Sequence, residues 1–176
     1  MTPDTLQLLF SDKQIEQRIR ELAALISADY HGRHLVIVGV LKGCFVFLAD
    51  IIRSLDLDLT IDFVQVASYG ARRESSGVST LEKDLGTDIL GRDVLIVEDI
   101  VDTGITLNQI RERILMRSPK SLKICTFLDK KERRVVDVPL DYIGFEIPNL
   151  FVVGYGLDYD NKFRNLPYIS VFKKKA

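Results

Sequence analysis

Residues 94–107 read VLIVEDIVDTGITL, and the point where this run breaks decides the fold. Asp93 to Val97 is short, continuous and rich in β-branched residues, with none of the polar alternation of a half-exposed strand, so it predicts a strand buried on both faces and ending at Val97. From Thr106 to Met116 the apolar residues take up helical spacing instead. A buried strand, a polar turn and a helix make half of a parallel α/β unit, and open sheets of that kind bind ligands at the carboxyl ends of their strands.

The same pattern recurs outward in both directions. Leu35 to Val40 (LVIVGV) is a second buried strand, Phe45, Leu48, Ile51, Ile52 and Leu55 fall at helical spacing, and Leu59 to Ser68 alternates as a third strand. Ser121 to Leu128 closes a second strand, helix, strand unit. Ahead of these, Ile15, Ile19, Leu22 and Ile26 mark an amphipathic helix over Ser11 to Tyr30, with Ser11 or Asp12 placed to cap it. Short strand-like runs at Tyr142 to Phe145, Phe151 to Val153 and Ile169 to Phe172 follow, divided by Pro and Gly. Tyr69 to Thr80 has no apolar periodicity and reads as a long mobile loop, either a lid or a solvated hairpin tip. The expectation is one α/β domain over residues 1–176, with a small irregular appendage.

Composition narrows the function classes. The 176 residues are 47% hydrophobic and 28% charged with a net charge of −1, so a core can form and no overall positive field is available to hold a nucleic-acid backbone. The start MTPDTLQLLF lacks the basic and apolar regions of a secretion signal, and no apolar run approaches the ~20 residues of a membrane span, which places the chain in the cytosol. Cys44 and Cys125 sit among apolar residues, outside metal-ligand or redox spacing, and read as core.

The turn after Val97 carries the chemistry. Asp102, Thr103, Gly104 and Thr106 bring hydroxyls and free backbone N–H groups to a helix N-terminus, which suits a phosphate. Glu98 and Asp99 stand just before them, and carboxylates next to a phosphate cradle need hydroxyls or a metal. A ribose 5-phosphate satisfies both demands, its phosphate on the turn and its 2′- and 3′-hydroxyls on the acids, directly or through Mg²⁺. The sequence has no GxxxxGK[ST], Gly154-Tyr155-Gly156 lacks the rest of a dinucleotide fingerprint, and Asp99 and Asp102 are not spaced as a DxD phosphatase pair.

VEDIVDTGIT resembles the 5-phosphoribosyl-1-pyrophosphate (PRPP) signature of the type I phosphoribosyltransferases. The blocks LKGCFVFLADI from Leu41, SYG from Ser68, FLDKKERR from Phe127 and FEIPNLFVVGYGLDYDNKFRNLPYI from Phe145 narrow the resemblance, over Leu35 to Ile169, to the hypoxanthine-guanine phosphoribosyltransferases, and the short length looks bacterial. The resemblance implies a central, mainly parallel sheet flanked by helices, a small hood to which both termini contribute, and a lid beginning at Ser68 and Tyr69. It implies purine salvage, with transfer of the phosphoribosyl group to N9 of hypoxanthine or guanine, Mg²⁺ as cofactor, and a homodimer or homotetramer.

Residue by residue, it places Leu41, Lys42 and Gly43 on pyrophosphate, with a leading peptide bond that can be cis. Glu98, Asp99, Ile100, Val101, Asp102, Thr103, Gly104, Ile105 and Thr106 fall on PRPP, with Asp102 the general base at N7. Lys130 falls on the 6-oxo group, Phe151 stacks on the base, Val152 and Asp158 lie near its 2-position, and Arg134 and Arg164 help hold pyrophosphate. Glu98 and Asp99 are the metal candidates, with Asp158 near a second ion. Ile105 stands where relatives can carry lysine. Competing readings are a same-fold transferase for xanthine or uracil, and an RNA-binding regulator that keeps the PRPP fold.

Overall fold

The computed structural model describes residues 6–66 and 81–173. In chain order the elements are β1 (Leu6–Phe10), α1 (Asp12–Asp29), β2 (Leu35–Leu41), α2 (Phe45–Ser54), β3 (Leu59–Val66), β4 (Leu81–Lys83), β5 (Asp93–Val101), α3 (Ile105–Leu115), β6 (Ser121–Asp129), β7 (Tyr142–Glu146), β8 (Val152–Val153) and β9 (Ile169–Phe172). Six strands form the main sheet in the order β4-β3-β2-β5-β6-β7, and β1-β9-β8 form a separate hood. Every pairing in the main sheet is parallel except β3 with β4. Successive strands run outward to opposite sides of the β2–β5 pair, so the topological switch point lies between these two, where open α/β sheets leave a crevice.

The continuous apolar runs are explained by burial on both faces. In β2, Leu35 and Ile37 join the core formed with α1 and α2, while Val36, Val38 and Val40 join the core beneath α3. In β5, Leu95 and Val97 take the first side, Val94 and Ile96 the second. Each such fully buried aliphatic side chain contributes about 2 kcal/mol through the apolar area it removes from water. The cap of α1 is Ser11, whose hydroxyl accepts from the Gln14 amide while the Gln14 side chain accepts from the Ser11 amide.

One expectation needs correction. β5 does not end at Val97. It continues to Val101 because β6 keeps pairing with it, Ile100 opposite Leu128 and Val101 opposite Asp129, after β2 has parted from it at Gly39 opposite Val97. The acidic pair therefore lies on a strand with a gap opening on its β2 side. The small appendage is the hood that the resemblance implied, with Leu6–Phe10 pairing antiparallel with β9.

Candidate active site

The gap between β2 and β5 is filled by the loop that leaves β2. Its Leu41–Lys42 peptide bond is cis, and it carries Gly43 across to the acids so closely that a Cβ on Gly43 would overlap an Asp99 carboxylate oxygen and lie 2.5 Å from its Cγ. A side chain at this position would have to displace the Asp99 carboxylate or the loop itself. On its other side the loop meets the hood, where a Cβ on Gly156 would overlap the Gly43 carbonyl oxygen. Gly156, Gly43 and Asp99 are thus stacked in direct contact although they come from three distant parts of the chain.

Burial, and then the neighbouring Asp99 carboxylate, push the Glu98 carboxyl well above its usual range; burial likewise raises Asp99. Such a pair is costly without a cation or hydroxyl donors facing it. Among the described residues no three His, Cys, Asp or Glu side chains gather as a metal cage. The pair therefore suits an ion that takes most of its ligands from water and a bound phosphate ester, as Mg²⁺ does.

Past Val101 the chain turns through Asp102, Thr103 and Gly104 into α3. Gly104 has φ 82°, and a Cβ there would overlap the Val136 carbonyl oxygen and touch Arg134 and Val138. The turn is braced from behind, because the Thr103 carbonyl accepts from the Val135 and Val136 amides at 2.9 and 3.0 Å. Gly104 offers no side-chain cap, so the first amides of α3 are available to an anion. A cleft of about 250 Å³ joins Thr106 of this helix to Glu98, Asp99, Leu41 and Gly43.

A second cleft, of about 330 Å³, shares Gly43, Asp99 and Ile100 with the first and is lined further by Lys42, Lys130, Phe151, Val152, Asp158 and Arg164. Phe151 is half exposed, with its ring edge-on to Tyr159 at 5.8 Å, leaving a face for a flat ligand. Lys130 is buried at the end of β6, with Nζ 3.9 Å from Asp102 Oδ2. Burial pushes its ammonium below the usual range, while the Asp102 charge pulls in the other direction. A larger cleft, about 870 Å³ between α1, α2 and Arg164–Pro167, has a mainly apolar lining that includes Asp12, Glu16 and Asp50 but neither Glu98, Asp99 nor the start of α3, which makes the smaller pair the candidate site.

The structure brings together Leu41, Lys42, Gly43, Glu98, Asp99, Ile100, Thr106, Lys130, Phe151, Val152, Asp158 and Arg164, with Asp102 beside Lys130; Thr103, Gly104 and Ile105 form the adjoining turn and helix start, while the Val101 side chain is buried in the core beneath α3. It does not bring Arg134 to the cleft wall. That side chain is largely covered behind the turn, paired with Asp129 and packed under Gly104, and its Nε and Nη1 have no hydrogen-bond partner among the described residues. Asp158 reaches the cleft already engaged, accepting from Arg164 Nη2 at 2.6 Å and from the Asn161 amide at 2.8 Å. Ser68 and Tyr69 lie outside the described residues.

Arg133 is a site residue that the sequence does not single out. Its Nε donates to Asp102 Oδ1 at 2.9 Å, because a single 3₁₀ turn over Lys131–Arg133 folds it back. In sequence it is one cation in a run of four, and nothing in that run marks it.

Comparison with known proteins gives the same picture. The phosphoribosyl transferase domain, as a family model, matches residues 8–160. The chain is 49% identical over 165 residues to a hypoxanthine-guanine phosphoribosyltransferase of Aquifex aeolicus, covering 93% of each, and 46% identical over 173 residues to that of Bacillus subtilis, covering 98% of this chain and 96% of the relative. Among solved structures, a hypoxanthine phosphoribosyltransferase of Staphylococcus aureus superposes with a TM-score of 0.92 at 46% identity, covering 97% of this chain and 93% of the other.

Proposed function

The chain belongs to the phosphoribosyl transferase family, and from that premise we propose how its residues divide the transfer of a 5-phosphoribosyl group from PRPP to N9 of hypoxanthine or guanine. The reaction yields IMP or GMP with pyrophosphate and serves purine salvage. The observation that carries the reading is the pair of clefts sharing Gly43, Asp99 and Ile100, which joins a phosphate-binding helix terminus, an acidic pair and a half-open aromatic slot in one continuous space.

The Asp102-to-Thr106 turn takes the 5′-phosphate on the α3 amides, with Ile105 contributing through its backbone. Glu98 and Asp99 take the ribose hydroxyls and hold Mg²⁺, which when bound would neutralise charge on the departing pyrophosphate. Lys42 and Arg164 face the same anion across Gly43, and Arg164 is held for this by its bonds to Gly156 and Asp158. Arg134 instead supports the turn from behind. Phe151 stacks on the base, the Val152 backbone and Asp158 lie at its 2-position, and Lys130 donates to the 6-oxo group. An ammonium has only donors, so it meets the 6-amino group of adenine donor to donor. Asp102 accepts the N7 proton as N9 bonds to the anomeric carbon, and Ser68 and Tyr69, assigned from sequence, close over PRPP and exclude water.

The same reading takes residues 1–176 as one domain that self-associates as a homodimer or homotetramer, which light scattering on the purified protein would measure. No described helix is long and apolar enough to cross a membrane. A cytoplasmic setting is supported by two buried cysteines that form no disulfide. The test of the reaction is nucleotide formation from PRPP and Mg²⁺ with hypoxanthine, guanine, xanthine, adenine or uracil offered singly. Product from hypoxanthine or guanine and none from adenine is expected; product from adenine but from no 6-oxopurine would refute the Lys130 assignment, and product from uracil alone would refute the purine reading.

A further inference from the structure

One buried hydroxyl near the site has no part in the reaction above. Tyr155 lies between Gly154 and Gly156 in the hood, all three with positive φ, and its ring is buried against Phe127 at 5.0 Å. A non-glycine residue holds that backbone conformation only where its surroundings enforce it. Its backbone is tied to the segment that carries Arg164, since the Tyr155 amide donates to the Leu166 carbonyl at 2.8 Å and the Gly156 amide to the Arg164 carbonyl at 3.0 Å. Its hydroxyl reaches the other way, donating to Asp50 Oδ2 on α2 at 2.8 Å. The other Asp50 oxygen pairs with Arg53, so the acceptor is held in place.

α2 is the helix that grows out of the Lys42–Gly43 loop. The Phe45 amide donates to the Lys42 carbonyl at 3.3 Å and the Leu48 amide to the Cys44 carbonyl at 2.7 Å, so the loop and the first turns of α2 form one piece. The Tyr155–Asp50 bond is therefore a side-chain tie between two bodies: the hood loop bearing Arg164, and the loop-helix unit bearing Lys42. Those bodies touch through Gly156 and the Gly43 carbonyl, a contact that fixes how close they come without fixing how they slide.

We propose that Tyr155 and Asp50 are positioning residues that set Lys42 against Arg164, and so tune affinity for the pyrophosphate end of the substrate while leaving the Lys130 contact to the 6-oxo group alone. The proposal rests on the reading of Lys42 and Arg164 as the pyrophosphate holders. Neither Tyr155 nor Asp50 lines the clefts that hold the acids and the base. Their effect must pass through the two cations; Lys130, just after β6, belongs to neither tied body, and Asp158, which rides with Arg164, is assigned to the 2-position, where hypoxanthine carries no substituent.

The test uses Tyr155→Phe, Asp50→Ala and Asp50→Asn in the full chain, with steady-state rates and with inorganic pyrophosphate binding by titration calorimetry in Mg²⁺. Loss of one hydrogen bond to a charged acceptor predicts that Tyr155→Phe raises KM for PRPP and Kd for pyrophosphate about tenfold. Over the same comparison kcat and KM for hypoxanthine stay within about twofold. Asp50→Ala should match Tyr155→Phe, the double variant should be no weaker than either, and Asp50→Asn, which keeps an acceptor, should stay near wild type. Equal changes in both substrates' KM, or no change in pyrophosphate binding by either Tyr155→Phe or Asp50→Ala, would overturn the proposal and leave the reaction untouched. A wild-type protein that binds no pyrophosphate would overturn both readings.

Discussion

Replacing Gly43 with alanine puts the closest approach in the site to a direct test. A Cβ at Gly43 would stand 2.5 Å from Asp99 Cγ, where nonbonded carbons settle at about 3.5 Å. Asp99 Oδ2 would be nearer still, in outright overlap, so the loop or the carboxylate must give way by at least about 1 Å. Asp99 is restrained, because its Oδ1 already accepts from the Ile100 amide at 2.8 Å, and the loop cannot retreat far without driving the Gly43 carbonyl into Gly156. A misplacement of that size at a reacting centre costs about 10²-fold in rate. Initial rates at saturating hypoxanthine and varied PRPP should show kcat/KM for PRPP reduced by that order, with a cooperative thermal transition retained, since Gly43 lies at the edge of the core. A Gly43→Ala enzyme within about threefold of wild type would mean that the working site does not contain this contact, and the stacking of hood, loop and acids would lose its functional meaning.

Other substitutions test separate parts. Asp102→Asn keeps the acceptor for Arg133 and the turn geometry but cannot take a proton, so kcat should fall by about 10²-fold or more with PRPP affinity preserved in calorimetry. Lys130→Ala should cost 6-oxopurine use through the lost donor, read as a fall in the hypoxanthine-to-adenine ratio of kcat/KM. Far from the chemistry, Asp62 accepts from the Phe63, Gly86 and Thr87 amides and from Lys83. Burial would raise its carboxyl, but the Thr87 and Phe63 amides, the Thr87 hydroxyl and Lys83 outweigh it and hold the group well below the usual carboxylate range. That stabilisation is complete above the unfolded value near pH ~3.9 and is lost as pH falls toward the folded value. Asp62→Ala should therefore lower stability by about 3 kcal/mol at neutral pH, and the gap to wild type, followed by thermal melts, should narrow as the solution is acidified below that point.

Much of this could be read along the chain because it is local. The aliphatic runs at Leu35 and Asp93 are short and β-branched, which suits strands covered on both sides better than a buried helix, and the Gly104 turn leaves helix amides free for an anion. The acids at Glu98 and Asp99 announce a polar ligand for the same reason: they stand next to a buried strand. Pairing between distant segments leaves no such local trace. The overrun of β5 past Val97 depends on how long β6 stays in register, and Leu6–Phe10 becomes a strand only because β9 lies alongside it.

The same division holds at the site. Arg134 and Arg133 are neighbours of identical chemistry, and nothing local separates them, yet one is largely covered behind the phosphate turn against Asp129 and the other folds back onto Asp102. Which cation serves which purpose is set by the path of the chain between Asp129 and Val136, a three-dimensional outcome of the turn after β6. The tie between Tyr155 and Asp50 spans 105 residues and has no signature in either segment. Local sequence dictated the elements and the kind of ligand, through periodicity, capping and backbone freedom; only the packed fold, by bringing loops from opposite sides of a switch point into contact, decided which side chains face that ligand.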